Sequence, residues 1–284
     1  MMMNKSTMTF IGCEEEFDDA KLVLFGAPFD GTTSFRPGTR FAPTVIRNES
    51  YGLETYSPYQ DRDLEDSKVF DAGDLELTFG NPKRVLDTIE AFTRKIVEAK
   101  KLPVMIGGEH LLSYSPIKVL SETYEDLHII QLDAHTDLRD DYAGEKLSHA
   151  TVMKRAWEFV GDGRIYQFGI RSGLKEEFKW AETHTQLNKF TLEGLKEAVA
   201  SLKGKPVYIT IDLDVLDPSV FPGTGTPEPG GITFHDLQDA ILMFRDLNVV
   251  GADVVELSPH YDQTGKSTAV ACKTLRELML AITK

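Results

Sequence analysis

Short, continuous apolar runs recur along this chain at residues 21–25, 68–70, 103–106, 127–132, 164–168, 206–211 and 249–255, with a weaker eighth at 187–190. Most of them do not alternate apolar with polar residues, which is how strands buried on both faces read. Helical patterns fill the intervals. Asn81-Pro82 opens one in which Val85, Ile89, Phe92, Ile96 and Val97 recur at helical spacing. Residues 192–202, 234–244 and 268–282 are further helices, the second preceded by Thr233 as an N-cap. Strands alternating with helices predict a three-layer α/β/α fold with a mostly parallel sheet of about eight strands. No repeat, low-complexity stretch or linker interrupts the 284 residues, so one domain spanning 1–284 is expected.

Hydrophobic residues make up 41% of the chain, enough for a sizeable core, and no apolar run reaches the length of a membrane span. Met1 to Lys5 form no export signal. Cys13 and Cys272 are too few for a disulfide framework and read as free thiols in a reducing, cytoplasmic setting. A net charge of −14 argues against nucleic acid and anionic membranes as partners. It would suit a cationic small molecule, although acidity often serves solubility alone. Two irregular segments, 29–43 and 217–231, are rich in Gly and Pro. Long loops in a compact domain often carry function, with a plain surface excursion as the even alternative.

The chemistry concentrates at three predicted strand ends. Asp133-Ala-His135-Thr-Asp137 follows one apolar run, and Asp212-Leu-Asp214 follows another. Residues two apart in extended chain point the same way, so each cluster can aim two side chains at one point. His110 follows a third run, behind Gly107 and Gly108, which let the backbone turn sharply. In open parallel sheets ligands bind just beyond the carboxyl ends of strands. A lone Asp there is usually a cap, and a lone His is usually structural. The conjunction of four carboxylates and two imidazoles with no thiolate points instead to two divalent cations, and to Mn²⁺ rather than structural zinc. Two ions about 3.5–4 Å apart can share one water and lower its pKa toward neutrality, giving a bridging hydroxide as nucleophile. Glu256, at the end of the last predicted strand, adds negative charge. A planar cation such as guanidinium would be stabilised beside it and a phosphate repelled.

These motifs resemble those of the ureohydrolase (arginase/agmatinase) family over nearly the whole chain. Gly107-Gly108-Glu109-His110, Asp133 to Asp137, Ser148-His149, Asp212-Leu-Asp214-Val-Leu-Asp217-Pro218 and Pro222 to Gly231 stand in family order and spacing. The resemblance implies an arginase-like fold and two Mn²⁺ per subunit. One ion would be held by His110, Asp133, Asp137 and Asp212, the other by Asp133, His135, Asp212 and Asp214, with Asp133 and Asp212 bridging. It implies that Glu256 binds the guanidinium. It also implies that Asp137 and His149 move the proton from the attacking hydroxide to the leaving amine. Within the family the chain is most similar to the agmatinases, which release putrescine and urea from agmatine. The similarity lies in Ala27 to Asp30, Arg36 to Pro43 and Gly223 to Gly231. The stretch Leu138 to Leu147 lacks the Ser/Asn-rich pattern with which arginases read an amino-acid head. Arg139 and Lys146 near the rim leave a guanidinobutyrase, guanidinopropionase or arginase as the alternative. One departure stands out: Ala150 follows His149 where the family has Gly. The resemblance further implies a cytoplasmic homotrimer or homohexamer acting on a small cationic guanidino substrate in polyamine biosynthesis.

Overall fold

The structure, a computed structural model, describes residues 7–284; the Met1 to Lys5 stretch read above for an export signal lies outside the described residues. The strands are β1 (Leu22–Gly26), β2 (Tyr56–Ser57), β3 (Arg62–Asp63), β4 (Val69–Asp74), β5 (Leu102–Ile106), β6 (His128–Leu132), β7 (Ile165–Ile170), β8 (Gln186–Lys189), β9 (Pro206–Asp212) and β10 (Asn248–Val255). The α-helices are α1 (Ala42–Ser50), α2 (Pro82–Glu98), α3 (Tyr114–Thr123), α4 (Val152–Val160), α5 (Lys175–His184), α6 (Leu195–Ser201), α7 (Phe234–Met243) and α8 (Lys266–Ile282). Eight strands form one sheet in the order β4-β1-β5-β10-β9-β6-β7-β8, every pair parallel. The short β2 and β3 form a separate antiparallel pair.

Side chains of one strand feed two cores, as the period of two requires. Leu22 and Leu24 of β1 enter the core packed by α1, α6, α7 and α8, whereas Val23 and Phe25 enter the one packed by α2. Helices α3, α4 and α5 bury Ile117, Ala156 and Ala181 in a third cluster on the α2 side of the sheet. The result is the expected three-layer arrangement.

All eight expected strands are present within a few residues. The expected helix starts also hold. Asn81 Oδ1 accepts from the Arg84 amide at 3.1 Å ahead of Pro82. Thr233 and Asp236 form a reciprocal capping box on α7. Among the described residues no helix is long and apolar enough to cross a membrane. Cys13 and Cys272 are both free and buried.

The sheet order positions the site. Strands β5, β10, β9 and β6 are consecutive at its centre, and each runs directly into one of the sequence-predicted site segments. The chain therefore brings residues more than 140 positions apart to one end of the sheet.

Candidate metal centre

His110 opens a 3₁₀ turn four residues past the end of β5. Asp133, His135 and Asp137 follow β6, Asp212 ends β9 with Asp214 just beyond it, and Glu256 is the first residue after β10. Two groups of ligand atoms form, His110–Asp133–Asp212 and Asp133–His135–Asp214, each with its atoms within 4.8 Å of one another. Asp133 belongs to both. Asp212 falls in the first group only, and its Oδ1 accepts the Asp214 amide at 2.8 Å. Asp137 lies outside these triads but places Oδ2 3.1 Å from His110 Nδ1. In the second group His135 Nδ1 is 3.0 Å from Asp214 Oδ2 and 3.6 Å from Asp133 Oδ1.

The surroundings of His110 Nδ1 decide whether a cation fits. That atom is buried and has no hydrogen-bond partner. Carboxylate oxygens of Asp133, Asp137 and Asp212 nevertheless stand 3.0, 3.1 and 3.4 Å from it. Its Nε2 is 2.9 Å from Thr210 Oγ1. The unpartnered ring nitrogen and three carboxylate groups thus face one another across a buried space. A buried arrangement of that kind repels itself unless a cation is taken up. Oxygen donors with imidazole nitrogen are what a hard divalent ion accepts.

Neighbouring groups fix the carboxylates in place. Asp133 Oδ2 accepts from Gln131 Nε2 at 2.6 Å and its Oδ1 from the His135 amide at 2.6 Å. Asp214 Oδ1 accepts from the Ala134 amide at 3.1 Å. Asp137 and Glu256 are both left-handed, with φ of 52° and 67°, a conformation that costs a non-glycine residue free energy and clusters at functional sites. Partners hold each of them there. The Asp137 carbonyl accepts from the Met153 and Lys154 amides at the start of α4, and the Glu256 amide donates to Gly108 O at 2.9 Å.

The electrostatics follow from crowding acids in a buried space. Burial, then Asp214 and Asp133, push the Asp212 carboxyl well above its ordinary range. Burial, then Asp133, push Asp137 up to about 6. Burial, then Glu109 and Asp214, push Glu256 well up. Burial opposes protonation of His110 and His135, but the carboxylates facing them win and raise both. A centre so rich in carboxylates attracts cations, whether protons, metal ions or a charged substrate.

The centre forms the floor of a cavity of about 270 Å³, to whose lining His149, Ser34, Arg139, Tyr142, Glu177 and Thr226 also contribute. Glu256 reaches the same space while its Oε1 accepts the His110 amide at 2.7 Å. His149 is held by three hydroxyls: its amide donates to Thr32 Oγ1 at 3.1 Å, Nε2 lies 3.2 Å from Ser34 Oγ, and Nδ1 lies 3.3 Å from Ser148 Oγ. Burial, then the charges of His135 and His110, lower its pKa to about 4, so the ring rests neutral. Ala150 is not among the left-handed residues, so alanine there imposes no backbone strain on His149.

Six of the eight sequence-predicted site residues, His110, His135, Asp137, His149, Asp212 and Glu256, therefore line one cavity, and Asp133 and Asp214 stand against His110 and His135 beside it. Sequence reading missed three contributors. Glu109 is fully buried and accepts from Thr32 and Thr33; burial raises its carboxyl to about 7. Thr32 and Ser34 bring the 29–43 loop onto His149. The signal was present in Gly31-Thr-Thr-Ser34 and in an acid wedged between Gly108 and His110.

A parallel α/β/α sheet with carboxylate–imidazole groups gathered at the ends of its central strands defines an enzyme with a candidate two-metal centre. The arginase family model matches residues 20–281, and the chain belongs to that family. It is 50% identical to an agmatinase of Bacillus cereus over 98% of both chains. A solved Clostridium difficile structure superposes with a TM-score of 0.93 at 53% identity, covering 94% of this chain and 99% of that one. The agmatine ureohydrolase of Thermoplasma volcanium does so with a TM-score of 0.88 at 33% identity, covering 98% and 94%. The chain is accordingly a ureohydrolase-type enzyme, a hydrolase of guanidino C–N bonds.

Proposed function

We propose that this chain, as one ureohydrolase domain over 1–284, hydrolyses agmatine to putrescine and urea with two Mn²⁺ per subunit. The observation that carries the reading is the buried His110 Nδ1, unpartnered and faced by three carboxylates on the floor of a cavity that Glu256 also lines. The relatives that bear the name agmatinase support the choice of substrate. His110, Asp133, Asp137 and Asp212 would hold one ion, and Asp133, His135, Asp212 and Asp214 the other. When bound, such a pair lowers the pKa of water toward neutrality and so supplies a nucleophile at pH 7. The two buried free thiols and the acidic charge support a cytoplasmic setting.

The chain's own residues do the rest. Glu256 orients the guanidinium by accepting its paired N–H donors, which a carboxylate matches in geometry. Hydrolysis breaks a C–N bond and needs a proton moved from the attacking water to the leaving nitrogen. Asp137 and His149 line the cavity on the path of that proton, and the hydroxyls of Ser34 and Ser148 hold the imidazole in place. Positioning of this kind supplies much of a rate enhancement.

Arg139 on the cavity wall favours a second reading, a guanidino substrate with an anionic tail. Its charge is partly answered already, because Nε lies 3.8 Å from the buried Glu177 carboxylate and its guanidinium packs over Tyr142. Urea release after Mn²⁺ loading, compared across agmatine, arginine and guanidinobutyrate, tests the choice. The expected order puts agmatine first by at least about 100-fold in kcat/KM. Turnover of arginine or guanidinobutyrate alone would overturn it.

A further inference from the structure

Arg171 follows β7 and makes an unusual set of contacts. Its Nη2 donates to the carbonyls of Asp214 at 2.7 Å, Glu228 at 2.8 Å and Leu216 at 3.4 Å. Its Nη1 donates to Val215 O at 3.1 Å and Gly169 O at 3.2 Å, and Nε to Glu228 O at 3.1 Å. Every acceptor is a main-chain carbonyl, and among the described residues no acidic side chain pairs with it. A surface arginine ordinarily points its fork at a carboxylate or at water. Here the fork closes the turn after β9 onto the loop that returns through Glu228.

The backbone of the same residue reaches the other ligand strand. The Arg171 and Ser172 amides both donate to Ala134 O, at 2.8 and 2.9 Å, and the Thr136 amide donates to Ser172 O at 3.1 Å. Ala134 sits between Asp133 and His135. One residue thus ties the segment carrying Asp133 and His135 to the turn carrying Asp214. Among the described residues no hydrogen bond or ion pair joins the Arg171 side chain to His110, Asp137 or Asp212. The surroundings are built to admit it. A Cβ at Gly231 would lie 2.7 Å from Arg171 Nη2 and 2.5 Å from the Asp217 amide nitrogen, so only glycine lets the loop approach. From the other side Asp217 Oδ2 accepts the Gly230 and Gly231 amides at 2.8 and 3.1 Å, and the clasp closes at both ends.

We propose that Arg171 is a positioning residue for one half of the metal centre: it fixes His135 and Asp214, the members that the Asp133–His135–Asp214 group does not share with the other, and leaves His110 and Asp212 to other supports. The inference rests on the reading that both groups hold a cation. Groups that orient ligands without touching the metal typically change its affinity by about 10–100-fold. A selective effect is the signature, since loss of general structure would weaken both sites together.

The test is calorimetric titration of the metal-free protein with Mn²⁺, for wild type, Arg171→Met and Arg171→Lys, with urea release from agmatine measured alongside. Wild type is expected to take two equivalents. In Arg171→Met one equivalent should weaken by about 10–100-fold, while the other stays within about twofold of wild type. Arg171→Lys, which can reach some of the carbonyls but not all, should fall between. If Arg171→Met does not fold by circular dichroism, the split in Arg171→Lys decides. Two equivalents at wild-type affinity in the variants, or both weakened equally, would overturn the proposal. Wild type that binds two ions but releases no urea would sink the functional reading and leave the split as a separate result. Wild type that binds fewer than two would overturn both.

Discussion

Asp212→Asn should stabilise the metal-free protein while abolishing its response to metal. Asp212 is 3% exposed, and its two carboxyl oxygens have different tasks. Oδ1 accepts the Asp214 amide at 2.8 Å, and an asparagine carbonyl keeps that bond. Oδ2 stands 3.4 Å from the unpartnered His110 Nδ1, and an asparagine Nδ2 would put a donor there instead. The substitution therefore adds a hydrogen bond, worth about 1 kcal/mol net, and puts a permanently neutral amide where burial, Asp214 and Asp133 already oppose the ionised carboxylate. A gain of about 1–2 kcal/mol follows for the metal-free form, or roughly 2–5 °C in Tm for a chain of this size. Wild type gains about 4 kcal/mol from an ion present at a thousandfold excess over its Kd, and the variant should lose most of that gain. Differential scanning calorimetry with chelator, then with Mn²⁺, reads both effects. A metal-free variant that melts below wild type would refute the account of a self-repelling centre, as would a variant that keeps the full metal-induced shift.

Glu256→Gln should raise KM for a guanidinium substrate by about 10–100-fold with a smaller loss of kcat, since a neutral amide no longer answers the substrate's charge; steady-state kinetics check this, and a loss confined to kcat would contradict it. His149→Ala should lower kcat by about 100-fold or more with KM little changed, the usual span for a lost proton-transfer group, and unchanged turnover would remove His149 from the proton path. Remote from the site, buried Glu277 accepts from Ser57 Oγ at 2.7 Å and Gln60 Nε2 at 2.8 Å and pairs with Arg276. Burial opposes its ionisation, but Gln60, Arg276 and Ser57 outweigh it and hold its carboxyl below the ordinary value of 4.5. The stability it contributes is then complete above pH 4.5 and lost as pH falls through the lowered value. Glu277→Gln should cost on the order of 3 kcal/mol at pH 7 and flatten the fall in Tm between pH 5 and 3, and melts across that range with an unchanged slope would count against it.

What the sequence disclosed divides along physical lines. The strands were legible because burial on both faces forbids polar residues, and the pattern needs no knowledge of neighbours. The clustering of the candidate site residues was legible because a strand end fixes where residues i and i+2 point. Helices α1, α3, α4 and α5 were not read from the chain. In α5 only Glu177 and Ala181 are buried, too little for a stripe. In α1 the buried positions include Arg47 and Ser50, and Arg47 is interior only because Asp71 and Asp74 lie across from it. That pairing joins residues 24 and more positions apart, which no local window reveals. The 29–43 loop was half legible: its Gly and Pro content marked it as irregular, but its grip on His149 through Thr32 and Ser34 depends on the fold.

The two left-handed acids show why the site could be located before its geometry could. Nothing in the sequence around Asp137 or Glu256 requests a positive φ, and a glycine would take it more cheaply. The chain keeps carboxylates there and meets the strain with backbone bonds: Met153 and Lys154 amides for Asp137, Gly108 O for Glu256. Those bonds come from α4 and from the turn after β5, elements that exist only once the sheet is assembled. The acids are held in place only in the assembled β5-β10-β9-β6 core, where their crowding would be relieved by a bound cation. A folded metal-free state that is intact yet less stable than a loaded one is then expected, with the gap between the two melts concentrated in side chains at four adjacent strand ends.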